Sequence, residues 1–277
     1  MLQIDKSFFE SVVSSATEST GIVFDFITGY IKEATDEARQ FLGEDLFQEL
    51  STEHFQDEPQ YSLARRVKHW ICLSAYDKAI PHLDLVLTPN GFGVVSNQNE
   101  APASADRVNR LIQTVKNAKE DAFELMLDQL RGNEKWCEMP NAQILFSSLF
   151  WRAKQLSRYG FASPHRSQLT EARPRINSAE VRLKEAISPE FYQELCDSVR
   201  RNDSTSWQNM AIACCLNVIG CELDNARREA LLHCRQLVKL LDSNIKEYPT
   251  YANSTAYAAN NFKQYENAVN DSTYFFG

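Results

Sequence analysis

Turn residues are scarce in this chain: 277 residues contain only 9 glycines and 9 prolines, about half the share of an average protein. A chain so poor in turns cannot build many hairpins. This excludes sandwiches, propellers and other all-β folds, together with collagenous and low-complexity classes. Basic charge is short as well, with 29 Lys and Arg against 37 Asp and Glu and a net charge of −8. On average the chain lacks the basic footprint of a nucleic-acid binder, and no polybasic run is present to seek anionic lipid. One local exception holds Arg152, Lys154, Arg158, His165, Arg166, Arg173 and Arg175. A bilayer span needs about 20 apolar residues, and the most apolar stretch, Met210–Cys221, is short and interrupted by Asn217. Met1–Glu10 carries Asp5, Lys6 and Glu10 where a signal peptide has its apolar core. The expectation is a soluble protein made in a cytoplasm, with no membrane partner. Among seven cysteines no two stand in C-x-x-C spacing. A disulfide framework is unusual in so long a chain, so free, mostly buried thiols are expected.

What is present is helical periodicity. Residues 1–34 stay open between helix and strand. Thr35 or Asp36 offers an N-cap before Glu37–Leu42, and Gly43 fits a stop before a second short helix, 44–50. Leu63, Val67, Trp70 and Ile71 share one face of a helix over 61–80, which Pro81 ends. Ser104 caps a long helix to about Gln129, with a stripe from Val108 through Leu111, Val115 and Ala122 to Leu125 and Met126. Asn141–Arg158 is apolar almost all round and reads as a helix buried on most sides. Gly160–Asn177 is loop-like, with Pro164 and Pro174, and 178–186 is helical. Ser188-Pro189-Glu190 starts another helix, with Ser as cap and an acid near the positive dipole end. Helices over 206–219 and 224–245 follow. The fold class is therefore mainly α, a helical bundle with one β-hairpin at about 83–96 and an extended C-terminal tail. The hairpin is signalled by alternation at Leu83, Leu85 and Leu87, the turn pair Asn90-Gly91, and then Phe92, Val94 and Val95. Three regions are expected: 1–139, helical with the hairpin; 140–247, a second helical region packed on the first; and 248–277, polar and extended with an aromatic tip.

No constellation for catalysis stands out, and neither enzyme activity nor a cofactor is expected. Cys214, Cys215, Cys221, His233 and Cys234 come near a zinc ligand set. Adjacent cysteines on a helix point about 100° apart, so core packing is the favoured reading. Asn90-Gly-Phe-Gly93 lacks the third glycine and the helix start of a phosphate loop. His69, beside Trp70, reads as a partly buried histidine. Two features read as interfaces. Tyr274, Phe275 and Phe276 end the chain and either tuck back or dock into a neighbour, as aromatic anchors do. The hairpin residues Leu85, Leu87, Asn90, Gly91 and Phe92 either pack on their own helices, the favoured option, or add to another chain's strands.

Two stretches carry a resemblance. Phe26–Leu50, with a helix ending at Leu42-Gly43 and a short helix after it, is one. Asp84-Leu-Val-Leu-Thr-Pro-Asn-Gly-Phe-Gly-Val-Val-Ser-Asn97, followed by Ala101–Val108, is the other. They resemble an uncharacterised family of tailed-phage and prophage proteins similar to head–tail connector (adaptor) proteins, and the aromatic tip is similar too. The resemblance implies a helical virion component of the neck, assembled in the host cytoplasm as a ring of about a dozen copies below the portal. Its partners would be its own copies, the portal protein and tail or neck proteins. DNA would pass through the lumen without sequence-specific binding, eased by acidic walls that repel phosphate. Alternatives are another phage neck or tail-completion protein, a cytoplasmic helical interaction or regulatory protein, or an enzyme assembled around His165, Arg166 and Glu171.

Overall fold

The computed structural model of the protein describes residues 2–13, 22–52, 62–83, 85–88, 91–94 and 104–262. The chain is mainly helical, the class its sparse turns predict, and it divides into two compact units, Met1–Ile144 and Leu145–Gly277.

In the first unit, Asp5 caps α1 (Lys6–Val12) by accepting from the Phe8 backbone N–H at 2.7 Å. The buried Phe9 ring meets Phe24 and Tyr76 at 5.7 and 6.3 Å. Helix α2 (Ile22–Leu42) begins well before the expected cap at Thr35 or Asp36. Ile27, Ile31, Ala34, Ala38 and Leu42 are all buried. Their 3- and 4-residue spacing carries the helix straight through Thr35, whose hydroxyl donates back to the Ile31 carbonyl at 2.6 Å. Gly43 ends α2 in the left-handed region at φ 79°. A Cβ there would also lie 2.9 Å from the Met139 sulfur. Helix α3 (Glu44–Thr52) follows at once.

Helix α4 (Leu63–Ala79), capped by Ser62, packs between α2 and α5 (Ala105–Leu130) with Val67, Ile71, Cys72 and Ala75 fully buried. Pro81 sits in the 3₁₀ turn that closes it, Ile80–His82. Strands β1 (Leu85–Thr88) and β2 (Gly91–Val94) form an antiparallel ladder pairing Leu85 with Val94, Val86 with Gly93, Leu87 with Phe92 and Thr88 with Gly91. In α5 burial is confined to the stretch from Val115 onward, and Leu125, expected in the apolar stripe, is exposed. The short helices α6 (Glu134–Cys137) and α7 (Pro140–Leu145) follow, with Trp136 fully buried and its indole N–H donating to the Phe41 carbonyl at 3.3 Å.

Three expectations fail in the second unit. Asn141–Arg158 is not one helix: α7 stops at Leu145, an irregular stretch follows, and Ala153–Arg158 is a 3₁₀ turn. Its burial was legible, since Phe146, Leu149, Phe150 and Trp151 are all buried. Residues 166–177 are not a loop, because α8 runs over Arg166–Ile187 with Pro174 inside. An interior proline costs about 3 kcal/mol. Leu169, Ile176, Leu183 and Ile187 are each fully or nearly fully buried on one face, and at about 1.5–3 kcal/mol per side chain they outweigh it. Finally, 248–262 is not an extended tail. Helix α12 (Pro249–Ala252) folds it against α9 (Pro189–Arg201), where the Phe191 ring meets Tyr248 and Tyr251 at 5.6 and 6.0 Å, and α13 (Thr255–Asn260) packs on α8. Two isolated tyrosines, rather than an apolar stripe, supply the burial. Their hydroxyls stay satisfied by donating to the Trp207 carbonyl and to Asp242 Oδ1. Helices α10 (Ser206–Leu223) and α11 (Arg227–Ser243) form an antiparallel pair packed on α8.

Candidate functional site

The second unit holds a cleft of about 480 Å³ between the 3₁₀ turn and α10. Its floor depends on how the irregular stretch before the turn satisfies its backbone. The Phe150 N–H donates to Ser148 Oγ at 3.0 Å, and the Leu149 N–H to the Tyr192 hydroxyl at 3.3 Å. Ser148 donates in turn to the buried Glu180 carboxylate. Gln155 closes the entry to the turn: its Oε1 accepts from the Arg152 N–H and its Nε2 donates to the Leu149 carbonyl, both at 2.9 Å. Arg166 Nη1 donates to the Trp151 carbonyl at 3.4 Å. Buried polar groups left unmade would each cost about 1–3 kcal/mol, so these side chains hold a non-helical segment in one conformation.

On that base stands Tyr159. Its ring lies against Gly220, where a Cβ would come within 2.1 Å of it. Its hydroxyl donates to Asn217 Oδ1 at 3.1 Å. Burial raises the phenol's pKa above its usual value, with Arg158 opposing and Cys221 adding to the rise. Three cations face the cleft, Arg152, Lys154 and Arg158, beside apolar Phe150, Ala213 and Leu216, and no acid is among the lining side chains of the described residues. Arg152 is braced over the Trp151 ring at 5.5 Å, a cation–π contact that fixes the guanidinium. Lys154 and Arg158 are exposed. A low-dielectric recess lined by one sign of charge focuses the field on an anionic partner.

The first unit has a smaller recess of about 290 Å³ between α4 and α5, where Arg65, Arg66 and His69 face Asp121 and Leu125. The His69 ring, expected to be partly buried, is exposed on α4; desolvation first, then Arg66 and Arg65, lower its pKa.

Charge is divided unequally between the units. Residues 1–144 hold 13 Lys and Arg against 23 Asp and Glu, a net −10, and residues 145–277 hold 16 against 14, a net +2. The whole deficit of basic charge therefore lies in the first unit.

Of the residues expected at interfaces, Tyr274, Phe275, Phe276 and Asn90 lie outside the described residues. Leu85, Leu87, Gly91 and Phe92 stand in the β1–β2 ladder, with Leu87 opposite Phe92. Of His165, Arg166 and Glu171, Arg166 reaches the Trp151 carbonyl, the His165 N–H donates to Gln168 Oε1 at 2.9 Å, and Glu171 is exposed on α8. Cys72, Cys137, Cys196 and Cys215 are buried, whereas Cys214, Cys221 and Cys234 are half-buried. Burial raises the Cys214, Cys215, Cys221 and Cys234 thiols. Among the described residues no three His, Cys, Asp or Glu are arranged to hold a metal ion, and no helix is long and apolar enough to cross a membrane. The cleft itself was visible in the sequence only as a local density of cations; nothing there marked it as concave.

Comparison with known proteins places the chain in a family. It belongs to a family of unknown function (DUF6712), whose model matches residues 38–143 and 223–261. The matched stretches cover α3 to α6, including the α4–α5 recess, together with α11 to α13. They leave out 144–222, where the basic cleft lies. No curated protein and no solved structure matches the chain.

Proposed function

We propose that this family member is a structural virion protein, a head–tail connector that forms a ring below the portal, extends the DNA channel and docks the tail. The observation that carries the reading is the resemblance over Phe26–Leu50 and Asp84–Val108. In the first stretch α2 ends at Gly43 and α3 begins at the next residue, the helix–stop–short-helix pattern on which the resemblance rests. Two further features favour it. A first unit of net −10 suits the wall of a channel through which DNA slides without being held, because like charge repels phosphate. Among the described residues the β1–β2 ladder is a two-stranded sheet with no third strand, a form suited to strand addition by a neighbour in the neck. The partners are other copies of the chain, the portal protein and tail or neck proteins. Quantitative peptide mass spectrometry on purified particles from the source that expresses the protein tests this. A fixed ratio to the portal protein is expected. Absence from complete particles, with the protein left in the lysate, overturns the reading.

A further inference from the structure

We propose that the basic cleft of the second unit is a docking site for a second copy of this chain, and that it receives the acidic α2–α3 face of that copy's first unit. The inference rests on the ring reading above and names the surfaces that would close it. The cleft presents Arg152, Lys154 and Arg158 around an apolar floor. Among the described residues neither Lys154 nor Arg158 is held in an ion pair.

The complementary surface is on the first unit. Glu33, Asp36, Glu37, Glu44 and Glu49 are more than half exposed as side chains, and Asp45 is exposed beside them. Ion pairs to Lys78, Arg39 and Lys135 tie these positions into one surface: Lys78 bridges Glu33 and Glu37, Arg39 bridges Asp36 and Glu44, and Lys135 meets Glu49. Even with Lys32 nearby, six carboxylates outnumber four cations. The surface keeps negative charge to offer, and the cleft has the positive charge to receive it.

The division of charge also fixes the orientation. Pairing two first units sets −10 against −10, whereas pairing a first unit with a second sets −10 against +2. Like-charge juxtaposition costs several kcal/mol and suppresses the wrong pairing. The favoured contact is therefore heterologous, head to tail, the kind that repeats from copy to copy and gives a ring where its rotation closes and an open filament where it does not.

The test is light scattering coupled to gel filtration on the full chain, at about 50 mM and about 500 mM salt, a range over which the screening length falls severalfold. Self-association is expected at low salt and its loss at high salt. The exposed double variant Lys154→Glu/Arg158→Glu should weaken association by about tenfold or more, as charge reversal at a complementary interface does. Adding Glu44→Lys and Asp45→Lys to the same chain should restore it. Circular dichroism confirms that each variant is folded. Association unchanged by the reversal overturns the cleft and leaves the ring reading standing, since particle composition is measured separately. A full chain that stays monomeric at low salt overturns the inference. So does a reversal whose only effect is lost binding of a labelled DNA duplex, which would make the cleft a phosphate site.

Discussion

Gly220 and Tyr159 provide the sharpest test of how the second unit is built. A Cβ on Gly220 would lie 2.1 Å from Tyr159 Cε1 and Cζ. That is about 1.3 Å inside an ordinary contact of 3.4 Å. Gly220 is buried within α10, and the tyrosine is pinned by its bond to Asn217 and by the Phe150 ring 5.9 Å away. Gly220→Ala therefore forces the ring outward. Overpacking costs about 1–3 kcal/mol, and the lost hydroxyl bond about 1 kcal/mol. Alanine returns about 1 kcal/mol through helix propensity. The net expectation is a destabilisation of about 2 kcal/mol, read as a fall of about 1 M in the urea midpoint of the second unit's transition. In a Tyr159→Ala background the clash is absent, so the same substitution should be neutral or stabilising by up to about 1 kcal/mol. The sign change across this double-mutant cycle is the signature of direct coupling. Equal destabilisation in both backgrounds, or stabilisation of the wild-type chain, refutes the packing argument.

Three further expectations follow from single groups. Ser188 has φ 78° and its hydroxyl accepts from the Phe191 N–H at 3.1 Å; Ser188→Ala keeps the strained backbone and loses the cap, about 1 kcal/mol, while Ser188→Gly relieves the strain and stays near wild type, so a melting order with Ala above Gly contradicts it. Arg175 Nη2 donates to the Glu222 carbonyl at 3.1 Å, to the Leu223 carbonyl and to Asn225 Oδ1 at 3.0 Å, closing the C-terminus of α10; Arg175→Met should cost about 1 kcal/mol and speed hydrogen exchange in the last turn of α10, and unchanged exchange there dismisses the cap. Burial first, and then Glu180, push the Cys196 thiol up to about 12, and burial raises Tyr192 as well. Above pH 9 the unfolded thiol ionises while the native one stays protonated, so the unfolded state binds fewer protons. Stability is full below about pH 9 and falls as pH rises toward 12. A urea midpoint under reducing conditions that is the same at pH 8 and pH 10 contradicts this.

The parts of the fold that were legible are those decided within one turn of chain. Ser188 caps the helix it was expected to cap, because a hydroxyl accepting from an N–H three residues on is a local bond. Gly43 stops α2 for a similarly local reason, its positive φ. The failures are cases where distant packing overrode local preference. Pro174 reads as a breaker until Leu169 and Ile176 are seen buried on either side of it. Ser147 and Ser148 sit in a run apolar enough for a helix, yet Ser148 bonds Phe150 and Glu180, which lie two and 32 residues away. Tyr248 and Tyr251 look solitary in a polar stretch, and only the fold brings Phe191 between them.

The candidate site was hidden for a different reason, which is that a mean charge is not a local property. The average of −8 argues against an anionic partner only if the charge is spread evenly. Screening in salt reduces the range of a surface charge to about 10 Å, so an approaching partner feels the side chains within that radius and not the sum over the chain. At the mouth of the cleft those are Arg152, Lys154 and Arg158. At the α2–α3 face they are mostly carboxylates. The cationic run at 152–175 is visible in the sequence, but two of its members are consumed by the fold: Arg166 holds the Trp151 carbonyl and Arg175 holds the end of α10. Only the fold separates the cations spent on backbone carbonyls from those turned to a partner. Under the proposed docking, copies of an acidic chain repel in most orientations and attract in one, and the reversal at Lys154 and Arg158 is expected to remove that one without touching Arg166 and Arg175, which the fold consumes.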